Sequence, residues 1–106
     1  KTYQMDSANR KEAINEAHAD INEGADIIMI KPGIAYLDIV REIRDSTNTP
    51  LAVYQVSGEY SMLKAAAKLN WINHNEVMME QLISIKRAGA NMIASYFVKD
   101  AIKLIS

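Results

Sequence analysis

A lysine, a serine and a tyrosine in this sequence each stand at the end of an apolar segment. They are Lys31, Ser57 and Tyr96. An amine that desolvation keeps neutral can attack a carbonyl carbon and form a Schiff base. A hydroxyl and a phenol can each donate a hydrogen bond to a carboxylate. If the fold brings the three side chains together, they suit a substrate that has both a carbonyl and a carboxylate.

Each of the three residues also has a purely structural interpretation. Lys31 could extend its amine into solvent from the end of a strand. Ser57 could cap the helix that follows it, and Tyr96 could be a core aromatic residue whose hydroxyl reaches the rim. The catalytic interpretation therefore depends on the elements that position these residues.

Apolar runs alternate along the chain with amphipathic segments. The isoleucine-rich run before Lys31 is typical of a strand buried on both faces, and Pro32 ends that strand. Helix boundaries are indicated by glycine, proline and asparagine residues. The predicted strands are 27–31, 51–56 and 92–96, the predicted helices are 6–23, 35–46, 59–69, 73–87 and 98–105, and residues 1–6 fit the end of a strand or a loop.

This alternation indicates right-handed βαβ units and a parallel sheet, as in an open doubly wound fold or a (β/α)₈ barrel. No Gly-x-Gly-x-x-Gly or Gly-x₄-Gly-Lys-Ser/Thr loop follows a predicted strand, which disfavours a nucleotide-binding open sheet. A barrel takes about 250 residues. We therefore expect an α/β fold. If it is a (β/α)₈ TIM barrel, residues 1–106 form the carboxyl-terminal part of a single catalytic domain, with about three parallel strands. The carboxyl ends of parallel strands share one edge, where Lys31, Ser57 and Tyr96 would converge.

The composition is that of an ordinary globular domain. Of the 106 residues 49% are hydrophobic and 24% charged, and the net charge is -1, so no basic excess would attract nucleic acid or an anionic membrane. The absence of cysteine excludes disulfides and thiolate sites within this sequence. Because no apolar run approaches the roughly 18 residues of a membrane helix and no signal peptide is evident, we expect a cytoplasmic location. The start at Lys1 rather than methionine suggests an excised piece.

Six segments of the sequence carry motifs of a known family. They are Tyr3-Gln4-Met5, Ile28-Met29-Ile30-Lys31-Pro32-Gly33, Tyr36-Leu37-Asp38-Ile39-Val40-Arg41, Tyr54-Gln55-Val56-Ser57-Gly58-Glu59-Tyr60, Ser84-Ile85-Lys86-Arg87-Ala88-Gly89-Ala90 and Ser95-Tyr96-Phe97. With these segments the chain resembles the delta-aminolevulinic acid dehydratases, also called porphobilinogen synthases. The resemblance is colinear over essentially the whole chain and covers the carboxyl-terminal third or so of that family.

The resemblance implies a (β/α)₈ lyase that condenses two molecules of 5-aminolevulinate into porphobilinogen, the pyrrole precursor of haem and other tetrapyrroles. Lys31 matches the family's lysine that forms a Schiff base at the P site, and Ser57 and Tyr96 match the residues that bind the carboxylate of that substrate. Lys1 and Gln4 fall where the family has a basic residue and a glutamine near the A-site carboxylate. The first three roles agree with the chemistry that the side chains suggest by themselves.

The resemblance also implies metal and subunit partners. Glu16 matches a glutamate of an allosteric Mg²⁺ site in many bacterial members, and a solvated surface carboxylate is the alternative. Any Zn²⁺ site would lie upstream, together with the family's second active-site lysine and its active-site lid. We therefore expect the 106-residue chain to be inactive by itself, and the full-length protein to form a homo-octamer.

Two other functions stay open on the residues alone. A different Schiff-base barrel, such as an aldolase, would use Lys31 in the same way. A non-catalytic α/β module would carry Lys31, Ser57 and Tyr96 only as a polar rim. Labelling by 5-aminolevulinate or levulinate separates the dehydratase from the aldolase, and the activity of a Lys31→Ala variant tests the module.

Overall fold

The chain forms one parallel sheet with helices packed against it. The computed structural model describes residues 2–3 and 10–105, in which neighbouring strands follow the order β1-β2-β3-β4 and each pair is parallel. The strands are β1 (Thr2–Tyr3), β2 (Ile28–Ile30), β3 (Leu51–Gln55) and β4 (Met92–Ser95). The helices are α1 (Arg10–Asn22), α2 (Leu37–Ser46), α3 (Ser57–Lys68), α4 (His74–Ala88) and α5 (Val98–Ile105), and a 3₁₀ turn spans Ile34–Tyr36.

The predicted α/β class and the parallel order of the three main strands are confirmed. β1 is a short fourth strand within residues 1–6, which were predicted to be the end of a strand or a loop. The 3₁₀ turn was not predicted. The predicted helix start at residues 6–7 lies outside the described residues. Within the part of the chain that the structure describes, no helix is both long and apolar enough to cross a membrane.

Local capping signals act as the sequence predicts. Gly24 and Gly89 end α1 and α4 with φ values of 96° and 131°, a region that glycine enters without steric cost. The Asn73 side chain caps α4 by accepting a hydrogen bond from the Glu76 N–H at 3.0 Å. α1 and α4 therefore end where the chain turns towards the next strand.

The main hydrophobic core lies between one face of the sheet and helices α1, α2 and α4. Strand residues alternate between this face and the opposite one, because successive side chains of a strand point in opposite directions. The strand residues of the core are Ile28, Ile30, Leu51 and Val53, with Ile93 partly buried against them. The opposite face carries Met29, Tyr54, Met92 and Ala94, which are half-buried or exposed.

Polar contacts join the amino ends of β3 and β4. The Asn91 side-chain oxygen accepts hydrogen bonds from the Leu51 N–H at 2.9 Å and from the Arg44 guanidinium at 2.6 Å. Arg44 also donates to the carbonyl oxygens of Thr47 and Thr49, at the end of α2. These contacts fix the register at the amino ends of the strands, away from the carboxyl ends near which Lys31, Ser57 and Tyr96 lie.

Candidate active site

The structure places Lys31, Ser57 and Tyr96 at the same edge of the sheet. Lys31 directly follows β2, Ser57 lies two residues beyond β3, and Tyr96 directly follows β4. The three strands are parallel neighbours, so their carboxyl ends lie side by side. The fold therefore brings the three residues to one edge of the sheet, which is the first condition of the catalytic interpretation.

The register sets Lys31 beside Tyr54. Ile30 pairs with Val53, so one further residue puts the half-buried Lys31 opposite Tyr54. The Gly33 N–H donates to the Tyr54 carbonyl oxygen at 3.0 Å and holds the chain after Lys31 against β3. A Cβ atom at Gly33 would lie 2.8 Å from Val53 Cγ1, so this close approach requires glycine.

Two tyrosines position the Tyr96 side chain. The Tyr54 hydroxyl donates to the Tyr96 hydroxyl at 3.3 Å, which is a long hydrogen bond. The Tyr60 and Tyr96 ring centroids are 5.6 Å apart, and Tyr60 lies three residues after Ser57 on α3, on the same side of the helix. Tyr96 is 53% exposed and Ser57 is exposed, so both hydroxyl groups are accessible near the first turn of α3.

A polar network that the sequence did not predict lies behind Tyr96. The Gln55 amide, which is fully buried, donates to Gln81 Oε1 at 2.6 Å and accepts from Ser95 Oγ at 2.7 Å. Ser95 Oγ in turn accepts from the Phe97 N–H at 3.0 Å. Hydrogen-bonded partners make such buried polar groups tolerable. The network fixes the backbone on both sides of Tyr96, and the available signal was a glutamine within an otherwise apolar strand.

The chain after Tyr96 is anchored to α3. The buried Phe97 ring lies 4.6 Å from the Tyr60 ring, centroid to centroid. The Lys64 ammonium lies 5.5 Å from the Tyr60 centroid and 3.0 Å from an Asp100 carboxylate oxygen. The Lys64 hydrogen bond holds the pKa of Asp100 below its ordinary value of 3.8, although desolvation opposes this effect. Tyr96 therefore sits between two fixed segments.

Ser57 is not the cap of α3, so that structural interpretation is wrong. The helix begins at Ser57 itself, and Val56 occupies the N-cap position. The capping group is Glu59, whose Oε1 accepts from the Val56 N–H at 3.2 Å. This role of Glu59 was not predicted from the sequence. Ser57 is exposed, so its hydroxyl lies at the rim.

A cavity of about 520 Å³ lies beside this rim, between the loop after β2 and helices α3 and α4. Its lining is mostly apolar, and its polar side chains are Glu59 and Gln81. Lys31, Ser57 and Tyr96 are not among the lining residues. Because a keto acid needs polar partners at both its ends, the rim is the better candidate for the active site.

The remaining predicted site residues lie either away from the rim or outside the part of the chain that the structure describes. Lys1 and Gln4 fall outside the described residues. Glu16 is exposed on α1, in a surface depression that it shares with Glu12 and Asn15. Within residues 10–105, no group of three or more His, Asp or Glu side chains is placed to hold a metal ion.

Fold and site together define a class of protein. A parallel α/β unit carries an amine, an alcohol and a phenol at the carboxyl edge of its sheet, which is where (β/α)₈ enzymes place their active sites. The arrangement suits Schiff-base chemistry on a keto acid.

Comparison with known proteins identifies the family. The family model of delta-aminolevulinic acid dehydratase matches residues 1–104, so the chain belongs to this family. It is 57% identical over 100 residues to the delta-aminolevulinic acid dehydratase of Staphylococcus aureus and 55% identical to that of Staphylococcus epidermidis. The alignment covers 94% of this chain, which spans only 31% of the length of these relatives.

A solved structure agrees with the fold. The delta-aminolevulinic acid dehydratase (porphobilinogen synthase) of Toxoplasma gondii, in complex with the reaction product porphobilinogen, matches with a TM-score of 0.91 and 49% sequence identity. The match covers 96% of this chain and 29% of that chain. The expected TIM-barrel fold class is thereby confirmed.

The hydroxyl pair predicts an altered tyrosine titration. The hydrogen bond with Tyr96 raises the pKa of Tyr54 above its ordinary value of 10.0, and desolvation adds to the rise. Because the folded chain then holds this proton more tightly than the unfolded chain, we expect stability to decrease as the pH rises through the Tyr54 midpoint. NMR titration of ¹³C-labelled tyrosine should show a Tyr54 midpoint above 10 that falls in Tyr96→Phe.

The matched control is Tyr60→Phe, which keeps the ring contact with Tyr96 and should leave the Tyr54 midpoint unchanged. An equal Tyr54 midpoint in the parent chain and in Tyr96→Phe would show that the hydroxyl pair does not exist in solution.

Proposed function

We propose that this chain is the carboxyl-terminal portion of a porphobilinogen synthase and provides its Schiff-base lysine. The complete enzyme would condense two molecules of 5-aminolevulinate into porphobilinogen and release two molecules of water, as a step of tetrapyrrole and haem biosynthesis. The observation that supports this proposal is the placement of Lys31, Ser57 and Tyr96 on three neighbouring strand ends, in a chain of this family.

Lys31 is the proposed nucleophile. Its unprotonated Nζ attacks the ketone carbon of 5-aminolevulinate, and the new C–N bond forms as the carbonyl oxygen takes up a proton. That oxygen then leaves as water while the nitrogen loses its proton, which gives the imine. Protonation of the imine withdraws electrons from the neighbouring carbon and prepares it for bond formation with the second substrate.

Ser57 and Tyr96 are proposed to hold the carboxylate of the substrate bound at Lys31. Tyr54 donates to the Tyr96 oxygen, so the Tyr96 proton remains available for the substrate. Two hydroxyl donors directed at one carboxylate would fix the ketone against the amine, which is how proximity accelerates the attack. Lys1 and Gln4 are proposed to lie near the carboxylate of the second substrate.

Replacement of these residues in a full-length dehydratase that carries this segment tests the proposal. Lys31→Ala should lower kcat at least about a thousandfold, because no other group replaces the nucleophile. Ser57→Ala and Tyr96→Phe should each lower kcat/KM by roughly 10- to 100-fold, mostly through KM, since each loses one hydrogen bond to a charged group. Porphobilinogen formation is the readout.

Lys68→Ala provides the control, because Lys68 is an exposed lysine at the carboxyl end of α3. It should keep the parent kcat and KM. Full activity of Lys31→Ala would instead favour the non-catalytic α/β module.

A magnesium role is proposed for Glu16. Its carboxylate, with the neighbouring oxygen donors of Glu12 and Asn15 on the same exposed side of α1, offers the hard ligands that Mg²⁺ prefers, and water completes such sites. A bound ion there would act on the stability of the assembly and not on the reacting atoms, because the depression is on the helical surface. Glu16→Gln should therefore abolish Mg²⁺ stimulation and leave the activity without added metal unchanged.

Glu23→Gln, an exposed carboxylate beyond the end of the same helix, is the matched control and should retain full stimulation. Undiminished stimulation in Glu16→Gln would refute the magnesium role.

Three further expectations from the sequence stay predictions here. The homo-octamer and the cytoplasmic location stay predictions, which the mass of the full-length protein and cell fractionation test. The 106-residue chain alone is expected to make no porphobilinogen, because the second active-site lysine of the family would be missing.

A further inference from the structure

The reaction described above does not use the most buried carboxylate of the site region. Glu59 is 8% exposed, and burial of an ionised carboxylate is unfavourable unless hydrogen bonds compensate. Two backbone amides do so: the Ile34 N–H donates to Oε2 at 2.8 Å, and the Val56 N–H donates to Oε1 at 3.2 Å. Both oxygens of one side chain thus have donors from different loops.

The two donors belong to the loops that carry the proposed catalytic groups. Ile34 lies three residues after Lys31, and Val56 directly precedes Ser57. The Glu59 carboxylate therefore joins the two loops through its two hydrogen bonds. The bond from the Gly33 N–H to the Tyr54 carbonyl also joins the first loop to β3. Movement of one loop relative to the other would break one of the carboxylate's hydrogen bonds.

A comparison with α4 shows that helix capping alone does not explain Glu59. Both Glu59 and Glu76 are the third residue of their helices. α4 is capped locally by the Asn73 side chain, and Glu76 remains exposed. α3 has a valine at its N-cap position, and its carboxylate turns inward to a loop 25 residues away. Glu59 thus makes a hydrogen bond to a distant loop in addition to the one at the start of its own helix.

We propose that Glu59 is a positioning residue that holds Lys31 and Ser57 at the separation that one keto acid requires. The inference rests on the proposed function, because it assumes that Lys31 forms the imine and Ser57 binds the carboxylate. Glu59→Gln tests it with little change in shape. The glutamine amide keeps one acceptor but turns an NH₂ group towards a second N–H donor, so one of the two loops loses its partner.

The experiment uses the full-length dehydratase that carries this segment, with Glu59→Gln, Glu59→Asp and the matched control Glu76→Gln. Glu59→Gln should lower kcat/KM for 5-aminolevulinate by about 10- to 100-fold and lower the yield of borohydride-trapped imine with levulinate. Hydrogen exchange at the amides of Ile34 and Val56 should accelerate. Glu59→Asp keeps the charge but is one methylene shorter, so its loss should be smaller.

The outcomes are distinguishable. Glu76→Gln should match the parent in kinetics, trapping and exchange. Accelerated exchange in Glu59→Gln with parent-like kcat/KM and trapping would show that the carboxylate is only structural and would overturn the proposal. If Glu59→Gln does not fold, parent-like kinetics in Glu59→Asp with accelerated exchange would overturn it equally. A folded parent enzyme that traps no levulinate at Lys31 would instead overturn the proposed function itself.

Discussion

The parallel register of β2, β3 and β4 determines the geometry of the candidate site. Neighbouring strands lie about 4.8 Å apart, so the outer two of these strands are separated by about 10 Å. Lys31 and Tyr96 directly follow these outer two strands, and Tyr54 lies on the strand between them. A keto acid with a carbonyl at one end and a carboxylate at the other fits such a span. A slip of one residue would turn every side chain to the opposite face and remove the site.

Different interactions secure the two ends of the sheet. At the amino ends, Asn91 and Arg44 tie β3, β4 and α2 together, which stabilises the fold away from the chemistry. At the carboxyl ends, Glu59 and Gln55 are buried polar residues whose partners come from the neighbouring loops, from α4 and from the end of β4. Within the described residues, the face that carries Met29, Tyr54 and Met92 is only half-buried or exposed at these three positions. In a TIM barrel, that face is the interior.

The sequence predicted the features that depend on neighbouring residues. The isoleucine run before Pro32 identified the strand that carries Lys31, and Gly24 and Gly89 identified the ends of two helices, because these signals act within a few residues. Pairing between distant residues was out of reach. Glu59 finds a partner 25 residues away and Gln55 one 40 residues away. Gln55 is recognisable as a glutamine within an apolar strand, but the sequence does not show which residue pairs with either side chain. Ser57 does not cap α3, because the Glu59 carboxylate accepts the hydrogen bond from the Val56 N–H.

The most direct test of the Schiff-base assignment is borohydride reduction of the full-length dehydratase in the presence of 5-aminolevulinate or levulinate, followed by peptide mass mapping. We expect a stable secondary amine at Lys31, formed with either keto acid, and no labelling of this peptide in Lys31→Arg. A label on a different lysine, or an unlabelled Lys31 in an enzyme that still makes porphobilinogen, would contradict the account.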